Sequence, residues 1–139
     1  MYKFIQPKYA VGVVGVVMHE DGSVLLVEHV FHAVKPWGLP GGWMKRNEHP
    51  EDCIKRELLE ELELRVEIER LLGTELSEPG LLGFAYLCRP TGPVGQISGE
   101  LLDWKWTDPG AVPSLVGFHQ YALEEALNYR ENKSEVKNA

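Results

Sequence analysis

LPGGWMKRNEHPEDCIKRELLEELEL, residues Leu39–Leu64, is the stretch whose reading decides the fold. From Pro50 to Leu62 the pattern is helical. Pro50 suits a first helical position, His49 stands where a cap belongs, and Glu51 and Asp52 favour the positive end of the dipole. At about 100° per residue, Ile54, Leu58 and Leu62 line one narrow arc that faces a core. Glu57, Glu60 and Glu61, spaced i, i+3 and i+4, share a neighbouring arc, with Lys55 and Arg56 expected on its far side. Carboxylates so placed repel by roughly a few tenths of a kcal/mol per pair in water, and by more when partly buried. The arc is either a solvated acidic face or the hard-oxygen donor set that Mg²⁺ wants. The helix alone leaves these two readings level.

Outward from this segment, the flanks alternate strand and turn. Ala10 to Met18 is valine-rich and reads as a buried strand. His19 to Gly22 is turn chemistry, and Ser23 to Glu28 returns as the partner strand of a hairpin. Phe31 to Pro40 is irregular, punctuated by Pro36, Gly38 and Pro40. Val66, Ile68 and Arg70 alternate with Glu67 and Glu69 as a strand, and Leu81 to Cys88 is a second apolar one. Thr91 to Gly99 is a loop with three glycines and a proline, of the kind that borders sites. Leu101 to Thr107 forms a further strand, ended by Asp108-Pro109-Gly110, with Trp104 and Trp106 assigned to opposite faces. Ser114 caps a last helix running to about Arg130, with Leu115, Phe118, Ala122, Leu123, Ala126 and Leu127 on its apolar side. Residues 131–139 form a polar tail expected to fray, and residues 1–8 an N-terminal arm. The order predicts one α/β domain over residues 1–139, a mixed sheet between helices.

Bulk composition narrows the function. The chain has 139 residues, 44% of them hydrophobic, which is enough for one core. A formal charge of −7 argues against a nucleic-acid polymer or an anionic membrane as partner. A small anionic substrate remains compatible, provided that metal ions supply local positive charge. Cys53 and Cys88 make no disulfide framework, and no run approaches membrane-spanning length. The expected location is cytoplasmic, and a homodimer stays open.

The residues just upstream of the helix separate its two readings. Gly42 is followed by five residues and Glu48, then seven more and Arg56-Glu57-Leu58, with Glu60, Glu61 and Leu62 after Leu59 and then Glu63-Leu64. This pattern resembles the Nudix box, the signature of the Nudix hydrolases, and Trp37-Gly38-Leu39-Pro40-Gly41 resembles the usual lead-in. Every charged position is filled. Two glycines of the pattern are replaced, by Asn47 and Glu63, at sites where positive φ is expected.

The resemblance implies an α/β/α sandwich and a metal-dependent hydrolase that cuts the diphosphate of a small nucleotide substrate. It implies Mg²⁺ or Mn²⁺ held by Glu57, Glu60 and Glu61, with the Gly41 carbonyl completing a coordination site. Glu48 and Arg56 then form a supporting ion pair. Glu57 and Glu100 are the candidate catalytic bases, with Asp103 a third at a spacing seen in relatives. Glu100 is favoured slightly, as the end of a loop able to close over substrate. Pro79, fifteen residues beyond Leu64, stands where family members acting on ADP-ribose carry a proline. A nucleoside triphosphate or nucleotide sugar stays open, as does a Nudix-fold sensor that binds nucleotide without cutting it. Trp37, Trp43, Phe31 and Tyr86 are each able to stack on a base, and none is assigned to substrate.

Overall fold

The computed structural model describes residues 5–30, 34–77 and 79–138. Phe31, His32, Ala139 and the first half of the N-terminal arm lie outside these. The strands are β1 (Ala10–Val17), β2 (Val24–His29), β3 (Trp37–Gly38), β4 (Gly41–Trp43), β5 (Val66–Ser77), β6 (Leu81–Pro90) and β7 (Leu101–Thr107). The helices are α1 (Pro50–Leu62) and α2 (Gly117–Lys137). The mixed sheet predicted from sequence is a four-stranded one, ordered β4-β1-β6-β5, in which β1 and β6 run parallel. A second, antiparallel sheet is ordered β3-β2-β7.

The expected β1–β2 hairpin begins and then splits. Its turn is held by His19 and Ser23, but the strands share only the Met18–Val24 bridge. Both edges of β1 are already taken, by β4 on one side and β6 on the other, so β2 leaves to pair with β7. The segment before the helix is likewise less irregular than expected. Trp37–Gly38 pairs with β2, and Gly41–Trp43 pairs with β1.

The helices cover opposite faces of the larger sheet. Val13 and Val17 point to α1 and share a core with Ile54, Leu58 and Leu62, all fully buried. Val16, Ala85 and Leu87 point the other way and share a core with Leu115, Ala122, Leu123 and Ala126. Along a strand the side chains alternate, so one strand feeds both cores. The same period corrects the tryptophan assignment: Trp104 and Trp106, two residues apart, share a face and pack on the α1-side core. Helix α2 also departs from expectation at both ends. Val116 precedes it rather than Ser114, and it continues through the predicted tail to Lys137. Residues 131–137 contain neither Gly nor Pro, so nothing in them stops a helix.

Candidate active site

Helix α1 starts and ends with the predicted residues, and two positive-φ residues set the chain around it. Asn47, at φ 62°, turns the loop before the helix, and Glu63, at φ 48°, ends it in the left-handed conformation. These are the only non-glycine residues with positive φ among those described. They are also the two positions where the box lacks its glycine.

Arg56 ties the loop to the helix. Its Nε donates to Glu48 Oε2 at 2.6 Å and its Nη2 to Glu48 Oε1 at 3.0 Å, a bidentate, mostly buried pair. The Lys45 amide adds a third hydrogen bond to Glu48, and the Trp43 carbonyl accepts from Arg56 Nη2. The guanidinium holds the Glu48 carboxyl down at about 2. Arg56 does not lie on the far side of the acidic cluster, as the helical projection suggested. Its Nη1 reaches Glu57 Oε1 at 2.8 Å and Glu60 Oε2 at 3.1 Å. A long side chain reaches round the helix where a Cα projection does not.

The three carboxylates occupy unequal environments. Glu60 is half exposed, Glu57 is largely covered, and Glu61 is buried at 7% exposure. Glu61 therefore does not occupy a solvent-facing arc. Burial, then the negative charge of Glu57, pushes its carboxyl up to about 8, and Glu100 and Glu60 add to the shift. Its Oε2 has no hydrogen-bond partner. An orphaned buried carboxylate oxygen costs stability unless something else is bound there. Among the described residues, no three Asp, Glu, His or Cys side chains converge closely enough to enclose a cation, since Arg56 draws Glu57 and Glu60 to itself. In donor chemistry the set still fits Mg²⁺ or Mn²⁺: hard oxygens in excess of the two cationic groups beside them, Arg56 and Lys45.

The loop of residues 91–99 is anchored rather than loose. The Gly95 and Ser98 amides donate to the Leu62 and Glu61 carbonyls, satisfying the open C-terminal end of α1. A Cβ at Gly95 would come within 2.7 Å of Glu63 Cβ, so the loop needs glycine to lie this close. Glu100 follows, exposed and near enough for its charge to act on Glu61. Asp103 stands farther along β7, opposite Glu28, with Oδ1 accepting from the Trp104 amide.

The paired glycines have steric reasons of their own. A Cβ on Gly41 would lie 2.1 Å from the Val13 carbonyl oxygen, so backbone crowding already requires glycine there. A Cβ on Gly42 would lie 2.2 Å from Glu57 Cδ, so Gly42 makes room for that carboxylate. Beyond this thin wall opens a cavity of about 480 Å³ on the α2 side of the sheet. Gly41, Gly42 and Trp43 form one end, and Glu75, Ser77 and Gly83 another. Its roof brings Trp37 together with Phe118 and His119 of α2. His119 Nδ1 accepts from the Leu39 amide at 3.0 Å, joining α2 to the entrance of the box. Of the aromatic candidates, Trp37 and Trp43 line this cavity, whereas Tyr86 is buried in the α1-side core. The contributions of β5 and α2 were not visible in the sequence. Only the glycines at 12 and 83, in otherwise apolar strands, were a signal. Pro79 borders a separate hollow with Tyr9 and Leu76.

The chain matches the NUDIX domain over residues 8–126. It is 35% identical over 107 residues to a MutT-like protein of Streptomyces ambofaciens, covering 76% of this chain and 68% of that one. It is 31% identical to the human 8-oxo-dGDP phosphatase NUDT18 over 86% of its own length, but spans only 39% of that protein. An ADP-ribose pyrophosphatase from Streptococcus suis has a similar structure, with TM-score 0.70 and 25% identity over 87% of this chain and 92% of that one. In addition, no described helix is long and apolar enough to cross a membrane.

Proposed function

Since this chain belongs to the Nudix hydrolase family, whose members act on phosphoanhydride bonds, we propose that it cuts the diphosphate linkage of a nucleoside diphosphate derivative with divalent metal held on α1. The observation that carries this reading is Glu61, a buried carboxylate with one orphaned oxygen beside Glu57 and Glu60. Such an oxygen is accounted for by a cation shared with its neighbours. Mg²⁺ or Mn²⁺ held by Glu57, Glu60 and Glu61 would screen the diphosphate and acidify a water. The Gly41 carbonyl, one residue before the Gly42 that meets Glu57, is a further candidate donor.

The chain's own residues do the rest. Arg56 and Glu48 hold β4 and the loop after it against α1, fixing the distance between cavity and carboxylates. Glu57, packed behind Gly42 at the cavity wall, is one candidate to take a proton from an attacking water. Glu100 is the alternative acceptor of that proton, entering from the loop clamped to the helix end. The products are a nucleoside monophosphate and a phosphate or phosphorylated remainder.

Two substrates have specific support. ADP-ribose is favoured by Pro79 and by the name of the S. suis neighbour. An oxidised guanine nucleotide is favoured by the name of the human relative. Incubating the protein with a panel of nucleoside diphosphate derivatives and Mg²⁺ or Mn²⁺, and identifying the products, tests the reading. Binding without turnover across the panel would replace it with the sensor.

A further inference from the structure

Four strands of the larger sheet place one residue each in a single row on the α2 side. Trp43 of β4 lies opposite Gly12 of β1, Gly12 opposite Gly83 of β6, and Gly83 opposite Glu75 of β5. All four line the cavity. Residues opposite one another across a ladder point to the same face, and three strand spacings make the row about 14 Å long. The two inner positions of the row are therefore glycine, with an indole at one end and a carboxylate at the other. The ring of Trp43 lies against Gly12, and that of Phe118 against Gly83, where a Cβ would come within 2.8 Å of the ring. Glycine at these points keeps the floor flat, and the aromatic walls suit a planar ring. Trp43 is 59% exposed, an apolar surface left for something to cover.

Resting on the hydrolase reading, we propose that Glu75 selects the base, taking the paired N–H donors of a guanine-type ring while the diphosphate lies toward Gly41 and Gly42. A carboxylate is acceptor-only at neutral pH. Guanine, oxidised at C8 or not, presents two donors side by side, its N1–H and its 2-amino group. Adenine's corresponding edge sets a lone pair at N1 beside its amino group, and a carboxylate repels that lone pair. Cytosine has the same mismatch, and uracil has one donor between two acceptors. Ser77, two residues along the same face, offers a hydroxyl at this end. The other charged or titratable groups on the cavity wall, Lys35, His29 and His119, come from the β2–β3 side and from α2, away from β5. The diphosphate end is the one backed by Glu57, which gives the substrate one direction of entry.

The test compares GDP with ADP, and 8-oxo-dGDP with ADP-ribose, on the full chain. Binding is followed by quenching of tryptophan fluorescence without added metal, and KM by turnover with Mg²⁺. The expected wild-type preference is for the guanine member of each pair, by about tenfold or more. Glu75→Gln replaces one acceptor by a donor, which matches adenine's edge, so the preference should collapse or invert. Glu75→Ala should remove it without favouring adenine. Because Glu75 is exposed on an edge strand, neither change threatens the fold. Equal handling of both bases by the wild type, or an unchanged ratio in Glu75→Gln, would overturn the assignment while leaving the hydrolase reading intact. Failure to turn over any of the four compounds would count against the hydrolase reading itself, and failure to bind GDP would sink the assignment with it.

Discussion

The box and the cavity lie on opposite sides of the same sheet and are built in opposite ways. Glu48, Arg56, Glu57, Glu60 and Glu61 fall within fourteen consecutive residues, and one guanidinium contacts three of the carboxylates. The cavity wall is gathered from β1, β4, β5, β6 and the start of α2. A contiguous, densely bonded group tolerates little change and suits chemistry common to many substrates. A wall assembled from distant strands can vary one residue at a time, and that suits choice among substrates. The wall between them is the edge strand that carries Gly41 and Gly42.

The largest effect should follow from breaking the box at Glu61. Glu61→Gln should lower turnover by roughly three orders of magnitude or more, since the proposed metal set loses a ligand. The metal-free fold should be as stable as wild type or more so, because the variant no longer buries an ionisable group. Thermal melts and steady-state rates check both halves. An unfolded variant would show that the carboxylate is structural. Excess chelator should abolish activity to a similar extent, and full turnover in EDTA would remove metal from the mechanism.

The location of the proton acceptor comes next. Glu57→Gln should weaken Mn²⁺ binding and cut turnover together, by about a hundredfold or more. Glu100→Gln should cut turnover while leaving Mn²⁺ affinity near normal. Near-normal turnover in Glu100→Gln would take the loop out of the chemistry, leaving the site to α1 alone. Metal titration and rate measurement on both variants decide between them.

Arg56→Ala addresses the clamp that joins the two regions. It leaves Glu48 and Glu57 without their cation, so about 2–4 kcal/mol of stability should go together with activity. Chemical denaturation measures the first. Preserved stability with lost activity would make Arg56 a substrate contact rather than a brace. The two glycines sharpen the same comparison. Gly41→Ala meets the Val13 backbone and should destabilise the sheet edge, whereas Gly42→Ala meets the movable end of Glu57 and should spare the fold while lowering turnover.

The smallest effect is the pH dependence of the metal-free protein. Glu61 titrates near 8 in the folded chain and near 4.5 once unfolded. Between these values the folded state binds more protons, so stability contributed by this group falls as pH rises from 4.5 through 8 and then levels. Glu48 acts oppositely: its contribution is present above its ordinary value of 4.5 and is lost as pH falls toward 2. Adding Mn²⁺ should flatten the upper slope, because a bound cation favours the ionised carboxylate. Melting temperatures against pH, with and without Mn²⁺ and in Glu61→Gln, check this. A slope that persists in the variant would assign it to another group.

By itself the sequence determined α1 to the residue, the Glu48–Arg56 pair and the two positive-φ positions. The helix rests on spacing within its own turns, whereas the Glu48–Arg56 pair and the two positive-φ positions came from the resemblance to the Nudix box. The strands were legible too, because alternation and turn residues are local. What only the tertiary structure decided was where those pieces meet. The hairpin split because β1 had both edges occupied, a competition that no local pattern records. Glu61 became the buried carboxylate and Glu60 the exposed one although both lie on one helical face, a difference that helical spacing alone does not record. Glu75, Gly83, Gly12 and Trp43 fell into one row through strand register, which depends on pairing between segments far apart in the chain, as in Gly12 with Gly83. Burial and register are sums over distant partners, and for that reason the cavity needed the fold.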